Sequence, residues 1–217
     1  MRKFNLIAWG IVLSVVLFAC NQTPKTTEKS AEEAELTIEN LKAAINGENN
    51  ARVKYSFFSA KAEEVKMLNI AKLFAAAAKA ELVHTNNYIV VLRGLGVDEF
   101  RTIGEDHPIH EDMAKNLEDA IAGETYEFTE MYPVFIETAK AENVSAAVKS
   151  FEQAMKAEKR HAEHYQAALE LLKAEGNDKN VSSKWYVCPI CGELTPTIEG
   201  MSNCFICGEK VERFKKF

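Results

Sequence analysis

Two pairs of residues in the central part of the chain each place an acid three positions before a histidine: Glu81 with His84, and Glu158 with His161. On a helix the two members of such a pair share one face, because a turn takes about 3.6 residues. A single pair of this kind is usually solvated and carries little weight. Two copies, each within an apolar stripe, favour a site in which both pairs bind metal.

Three further glutamates, Glu48, Glu124 and Glu127, also fall inside apolar stripes. Burying five carboxylates without compensation would cost on the order of several kcal/mol for each charge, so the pattern becomes tolerable only with two divalent cations. A glutamate from each of two helices, with a Glu-x-x-His pair from each of two others, is the recurring ligand set of ferritin-like di-metal bundles. These ligands suit iron or manganese. The alternative is a bundle whose acids all lie just outside the buried seam.

Four cysteines near the C-terminus form two C-x2-C pairs, Cys188 with Cys191 and Cys204 with Cys207, each followed by glycine. Two such pairs in so short a segment predict tetrahedral metal binding by four thiolates. Two disulfides in an exported protein are the alternative. The spacing leaves zinc and iron open.

The elements that must position these groups are helices, because glycine and proline are scarce in the 217 residues (ten and five). Apolar residues recur at steps of three and four from Leu36 to about Glu175, which predicts four helices. The third is expected from about Asp112 to Ala141. Its predicted inward-facing residues are Leu117, Ile121, Phe128 and Phe135.

The helical region contains an internal repeat. The sequence around Gly47 and Glu48 reappears around Gly123 and Glu124, at an offset of 76, whereas the two Glu-x-x-His pairs lie 77 apart. A duplicated helix pair would arrange the groups about a pseudo-two-fold axis. The segment from Gly94 to about Glu111 is expected to be the crossover of the bundle.

The N-terminus has a basic start and an apolar run that ends in Cys20. It is short for a permanent membrane span and resembles a bacterial lipoprotein signal with a lipobox. We therefore expect residues 1–20 to be a signal peptide with lipidation at Cys20, and 21–35 to be a polar tether. The protein would then be a membrane-tethered lipoprotein of the bacterial cell envelope, facing the periplasm or the cell exterior. An uncleaved anchor and an ordinary secretory signal are the alternatives.

The charge balance argues against a nucleic-acid partner. The chain has 26 basic and 32 acidic residues, a formal net charge of −6. Phosphate backbones require basic patches, which such an acidic balance does not favour. The expected folded parts are residues 36–176, the helical domain, and 177–217, the cysteine domain.

From about residue 36 onwards the order of motifs resembles the rubrerythrin family. The Glu-Met-Tyr-Pro run at 130–133, which follows the paired acids Glu124 and Glu127, is specific to that family. The resemblance implies a mainly α fold, in which a ferritin-like four-helix bundle carries a small C-terminal rubredoxin-like domain.

The resemblance also implies a role for each site residue. Two irons would be bridged by Glu81 and Glu158, with one further bound by Glu48 and His84 and the other by Glu124 and His161. Glu127 would exchange with His84 as the first iron changes oxidation state. Tyr55 and Tyr132 would donate hydrogen bonds to ligand carboxylates. Cys188, Cys191, Cys204 and Cys207 would hold a single iron that relays electrons.

The activity that the resemblance implies is reduction of hydrogen peroxide to water by a di-iron oxidoreductase, in protection against oxidative stress. An unidentified donor would supply the electrons. A homodimer is expected, in which the cysteine module of one subunit approaches the di-iron site of another. The alternatives are a ferroxidase or iron-handling protein, and a binding protein with structural zinc at the cysteines.

Overall fold

In the computed structural model, which describes residues 31–217, five helices and a small sheet follow one another along the chain. The predicted signal peptide, Cys20 and most of the predicted tether lie outside the described residues. The helices are α1 (Glu35–Glu64), α2 (Leu68–Gly94), α3 (Met113–Tyr126), α4 (Tyr132–Ala141) and α5 (Ser145–Glu175). None of the helices in 31–217 combines the length and the apolar character needed to span a bilayer.

The helices form two antiparallel hairpins, α1 with α2 and the α3–α4 segment with α5, joined by a crossover. Each hairpin turns on one residue with a left-handed backbone, Lys66 at φ 66° and Asn143 at φ 55°. The closing hydrogen bonds are equivalent, because in both turns the backbone N–H three positions after the helix donates to a helical carbonyl five residues earlier, at 2.8 Å. The two halves of the bundle therefore share one design, as the sequence repeat predicts.

The third predicted helix is not continuous: a π-helical turn, Glu127–Met131, separates α3 from α4. This turn accommodates one extra residue, so the buried stripe shifts by one position beyond it. The buried residues are Leu117, Ala120 and Glu124 before the turn and Tyr132, Ile136 and Ala139 after it. Ile121, Phe128 and Phe135, which were predicted to face inward, are only half-buried, although Ile121 and Phe135 still pack against the edges of the two cores. The same extra residue accounts for the change of the repeat offset from 76 to 77.

Two apolar cores fill the bundle, one towards each end. The first includes Tyr55, Phe58, Phe74, Leu117 and Tyr165, and the second includes Leu41, Ile45, Tyr88, Tyr132 and Phe151. Complete burial of side chains of this size stabilises a fold by about 1.5–3 kcal/mol each. The two cores hold the helices in register on both sides of the acids described below.

The cysteine domain is built on three two-residue antiparallel strands, β1 (Tyr186–Val187), β2 (Leu194–Thr195) and β3 (Lys215–Lys216), in the order β2-β1-β3. Trp185, Val187 and Leu194 belong to the first core of the bundle. The domain is also tied to α2, because the Asp178 carboxylate accepts hydrogen bonds from the first free backbone N–H groups of that helix. The cysteine domain therefore packs against the bundle of its own chain.

Candidate di-metal centre and four-cysteine site

Every long helical segment brings an acid, or an acid and a histidine, to one buried point between the two cores. All of these side chains are at most 1% exposed. They are Glu48 from α1, Glu81 and His84 from α2, Glu124 from α3, and Glu158 and His161 from α5.

These six residues form two groups of four, and in each group one ligand atom per residue lies within 4.8 Å of the others. Glu48 and His84 complete the first group, and Glu124 and His161 complete the second, while Glu81 and Glu158 belong to both. The arrangement follows the sequence repeat, because each residue of one group has its counterpart in the other. Two shared carboxylates between two terminal sets are the arrangement that a pair of bridged cations requires.

Both histidines point Nδ1 towards the acids. The Nδ1 atoms of His84 and His161 lie 2.8 Å from Glu158 Oε1 and Oε2 respectively. The opposite ring nitrogens donate outwards: His84 Nε2 to the carbonyl of Cys191 at 3.0 Å, and His161 Nε2 to that of Gly192 at 3.1 Å. Because a carbonyl only accepts, Nε2 carries a hydrogen, and Nδ1 is the nitrogen that can bind metal once it has lost its own proton.

Tyrosine hydroxyls hold the two terminal carboxylates. Tyr55 donates to Glu124 Oε1 at 2.7 Å, and Tyr132 donates to Glu48 Oε1. Tyr88 lies behind Tyr132 and donates to its hydroxyl oxygen at 2.9 Å. The helical spacing of Tyr88 indicates only a core position and could not reveal this hydrogen bond.

The electrostatics show a shortage of positive charge among these side chains. Burial raises the pKa of Glu81 well above its usual range, and the charges of Glu158 and Glu124 add to the effect. Burial also raises the pKa of Glu124. Glu158 differs, because although burial opposes its ionisation, His84 and His161 together lower its pKa to about 2. The two imidazoles can thus compensate one acid of the cluster but not all of them.

Unsatisfied atoms test whether the cluster fits metal ions. Buried polar atoms in folded proteins nearly always have a hydrogen-bond partner. Here several atoms that face the centre of the cluster have none: Glu48 Oε2, Glu81 Oε1, Glu124 Oε2, both carboxylate oxygens of Glu158, and His161 Nδ1. Oxygen and imidazole donors that converge in this way suit two iron ions.

Glu127, the remaining predicted ligand, lies on the π-helical turn and is half-buried. It belongs to neither group of four. Burial nevertheless raises its pKa well above the usual range, and the charges of Glu48 and Glu124 add to this effect. The Glu127 carboxyl group is therefore near enough to the cluster to be affected by the charges of its acids. The exchange of Glu127 with His84 stays a prediction.

The four cysteines converge on a second centre. Cys188 Sγ lies 3.5 Å from Cys207 Sγ, and Cys191 Sγ lies 3.5 Å from Cys204 Sγ. All four sulfur atoms lie within 4.8 Å of one another, and none of these four residues is in a disulfide. A disulfide would require about 2.05 Å between sulfur atoms, so the geometry is that of four metal-binding thiolates.

Each cysteine pair lies on a tight backbone turn, which we call the first knuckle (188–193) and the second knuckle (204–209). In each, the glycine N–H donates to the carbonyl of the first cysteine, at 3.1 Å and 3.0 Å respectively. Gly192 has φ +75° and Gly208 has φ +76°, a backbone conformation that side chains disfavour. The carbonyls that accept from His84 and His161 belong to the first knuckle, so the approach expected between subunits is made here within one chain.

Comparisons with known proteins agree with this geometry. A family model described as Rubrerythrin matches residues 39–169. Rubrerythrin-2 of Clostridium acetobutylicum is 36% identical over 182 residues, which cover 84% of this chain and 97% of that protein. Nigerythrin of Nitratidesulfovibrio vulgaris is 38% identical over 182 residues, 83% of this chain and 86% of that protein. A solved nigerythrin in its fully reduced, all-ferrous state covers 91% of each chain with a TM-score of 0.75 and 35% identity.

A more distant likeness bears on the fold alone. A bacterioferritin structure from Rhodobacter capsulatus covers 64% of this chain and 87% of its own, with 20% identity and a TM-score of 0.61. The predicted fold class, a ferritin-like helical bundle with a small four-cysteine domain, is confirmed by these likenesses together with the clustered cysteines.

Proposed function

The chain belongs to the rubrerythrin family, and from that membership we propose that it is a di-iron peroxidase that reduces hydrogen peroxide to water. Its cofactors are two non-haem iron ions at the carboxylate and histidine cluster and one iron at the four cysteines. The reaction consumes two electrons and two protons for each peroxide and yields two waters. We further propose that it protects the cell against oxidative stress.

When bound, the two ferrous ions supply the two electrons and act as Lewis acids on the oxygen that leaves. The residues around them fix geometry and protons. Tyr55 and Tyr132 each occupy one oxygen of a terminal carboxylate, which orients the other oxygen towards the centre. The Tyr88 hydroxyl donates to the hydroxyl oxygen of Tyr132, and Tyr132 in turn donates to Glu48. Burial raises the pKa of Glu127, so this carboxyl group beside the cluster is placed to take part in proton transfer.

One observation carries the proposal: the ring of His84 donates directly to the backbone carbonyl of Cys191 at 3.0 Å. A single hydrogen bond thus joins a side chain of the di-metal cluster to a residue of the four-cysteine site. This is the connection that an electron relay needs, and a storage protein has no use for it. The four cysteines would hold an iron that supplies one-electron chemistry. Its own donor is unidentified.

Stopped-flow absorption tests the activity. Fully reduced protein is mixed with hydrogen peroxide in one experiment and with dioxygen in another, and the iron absorption is followed. We expect oxidation by peroxide to be much faster. Comparable or faster oxidation by dioxygen would contradict the peroxidase hypothesis. In a separate experiment, retention of many irons per chain after aerobic loading would favour the iron-handling alternative.

We also propose that the protein is a lipoprotein tethered at Cys20 to a bacterial membrane, facing the periplasm or the exterior. The basic and apolar start of the sequence and its lipobox-like end support this. Radiolabelled palmitate should be incorporated into the wild-type protein but not into the Cys20→Ser variant. Equal labelling of the two would contradict lipidation at this residue.

The expected homodimer likewise remains a proposal. Sedimentation velocity on residues 31–217 would measure the oligomeric state directly. A single species at the mass of one chain, over the whole concentration range, would exclude it.

A further inference from the structure

We propose that Arg160, His164 and Glu193 form a latch that positions the first knuckle on the di-metal site. The inference rests on the proposed function only in treating the knuckle as an electron relay. None of the three residues belongs to either group of metal-binding side chains. They are positioning residues, which act through the contacts of His84 and His161 with the knuckle.

The first part of the latch is a charge pair between the helix and the knuckle. Glu193, the last residue of the first knuckle, is fully buried. Arg160 Nε of α5 donates to Glu193 Oε1, and Glu193 Oε2 has no hydrogen-bond partner among the described residues. A buried carboxylate with a single cationic partner is held strongly, because loss of that partner leaves its charge uncompensated.

The second part is a histidine that binds no metal. His164 lies three residues beyond His161, on the same face of α5, and its Nε2 donates to the carbonyl of Leu194 at 2.9 Å. The edge of its ring packs on Trp185, with ring centroids 5.0 Å apart. Arg160 and His164 thus flank the metal-site histidine on the helix, and their contacts at 193 and 194 directly follow the Gly192 carbonyl that His161 contacts.

The first knuckle lies so close to His84 that its position must be held by further contacts. A Cβ atom added to Gly192 would lie 2.1 Å from His84 Nε2, so the knuckle backbone is packed directly against that ring. At Gly208, which has the same backbone conformation, an added Cβ would have no atom within 4 Å. The glycine of the first knuckle is therefore packed directly against a side chain of the bundle, whereas the glycine of the second knuckle is not.

The chain contains a matched control for the latch. The second knuckle ends in Glu209, which also pairs with an arginine, Arg213, at 2.7 Å. Within residues 31–217, that pair lies inside the cysteine domain and has no hydrogen bond or ion pair to the helical bundle. Loss of either arginine removes one ion pair next to the four cysteines. Only loss of Arg160 removes an attachment to the bundle.

The test is chemical footprinting of histidines with diethylpyrocarbonate on the full, iron-loaded protein, read by mass spectrometry. Because His164 Nε2 is hydrogen-bonded to the Leu194 carbonyl, this nitrogen should react slowly with the reagent in the wild type. In Arg160→Gln we expect His164 to react at least about tenfold faster, since a buried carboxylate would lose its partner. In Arg213→Gln the rate should equal that of the wild type. Unchanged reactivity in Arg160→Gln, or an equal rise in both variants, would overturn the latch.

A second pair of variants keeps the proposal testable if Arg160→Gln cannot be purified. Gly192→Ala should expose His164 to the reagent although all three latch residues are intact, and Gly208→Ala should not. Retained absorption of the four-thiolate iron identifies the variants whose cysteine domain is folded. Since this readout involves no peroxide, failure of the latch and failure of the peroxidase activity are separate results.

Discussion

The two knuckles have nearly the same sequence, Cys-Pro-Ile-Cys-Gly-Glu at 188–193 and Cys-Phe-Ile-Cys-Gly-Glu at 204–209, and the same backbone. Their surroundings differ. Gly192 and Glu193 are buried, whereas their counterparts Gly208 and Glu209 are exposed and half-buried respectively. The motif therefore determines the turn that binds metal, and the neighbouring helix determines which turn adjoins the di-metal centre.

The difference extends to the chemistry of the two terminal acids. Burial raises the pKa of Glu193 to about 7, although the Arg160 guanidinium opposes this. Its counterpart Glu209 pairs with Arg213 near the surface. The same residue in the same motif is therefore an interdomain attachment in one copy and a local ion pair in the other.

The largest expected effect concerns the di-metal centre, which the first knuckle adjoins, and tests whether the four-cysteine site depends on it. Glu158→Ala should lose both ions of the di-metal centre, because Glu158 belongs to both groups, and should destabilise the bundle. The four-thiolate iron should remain. Metal analysis and the visible spectrum measure the two centres separately. Glu163→Ala, an exposed position on the same helix, is the control. Unchanged metal content and stability in Glu158→Ala would refute the ligand assignment.

The next effect compares the two knuckle glycines. Both Gly192→Ala and Gly208→Ala strain a backbone with positive φ, at a cost of about 1 kcal/mol. Only the first also displaces the knuckle from His84. Because a shift of about 1 Å can slow a reaction by about 10²-fold, we expect peroxide turnover to fall by that order in Gly192→Ala alone. Equal losses in both variants would mean that strain, not position, matters.

A smaller effect separates the two acids. Because burial raises the folded-state pKa of Glu193 to about 7, ionisation of this carboxyl group works against folding as the pH rises, despite Arg160. Between pH 5 and pH 8 the wild type and Glu209→Gln should therefore each lose about 1–3 kcal/mol more of their unfolding free energy than Glu193→Gln does. Denaturant titration measures these losses, with the four-thiolate absorption as the probe. If all three proteins lose the same amount, the burial of Glu193 has no energetic consequence.

The smallest effect concerns acidification. Burial lowers the pKa of His164 to about 4, and the nearby charges of His161 and Arg160 add to this. A depressed folded-state pKa means that the stabilisation is present above the unfolded value of about 6.5 and is lost as the pH falls towards 4. Between pH 7 and pH 5 the wild type should therefore lose about 1 kcal/mol more stability than His164→Gln. Parallel losses in the two proteins would exclude His164 as the titrating group.

Much of the site could be predicted because its residues obey helical spacing. Glu81 and His84 share a helix face by geometry, and the repeat doubles the observation. Arg160 shows the limit: a charged residue between two site residues is ordinarily solvated, and only the folded chain places Glu193 opposite it. The spacing of the cysteines similarly predicts four thiolates but not which knuckle adjoins the histidines, since that depends on how the domain packs.

The π-helical turn has a consequence for the symmetry of the whole centre. One inserted residue in the second half is enough to make two otherwise equivalent half-sites unlike each other. At the repeat offset of 76, Glu127 corresponds to Ala51, so one hairpin carries an additional acid where the other carries only a methyl group. The two similar helical hairpins thus surround the two ions with different neighbouring residues. Mössbauer spectroscopy of the iron-loaded protein should therefore resolve two distinct iron environments.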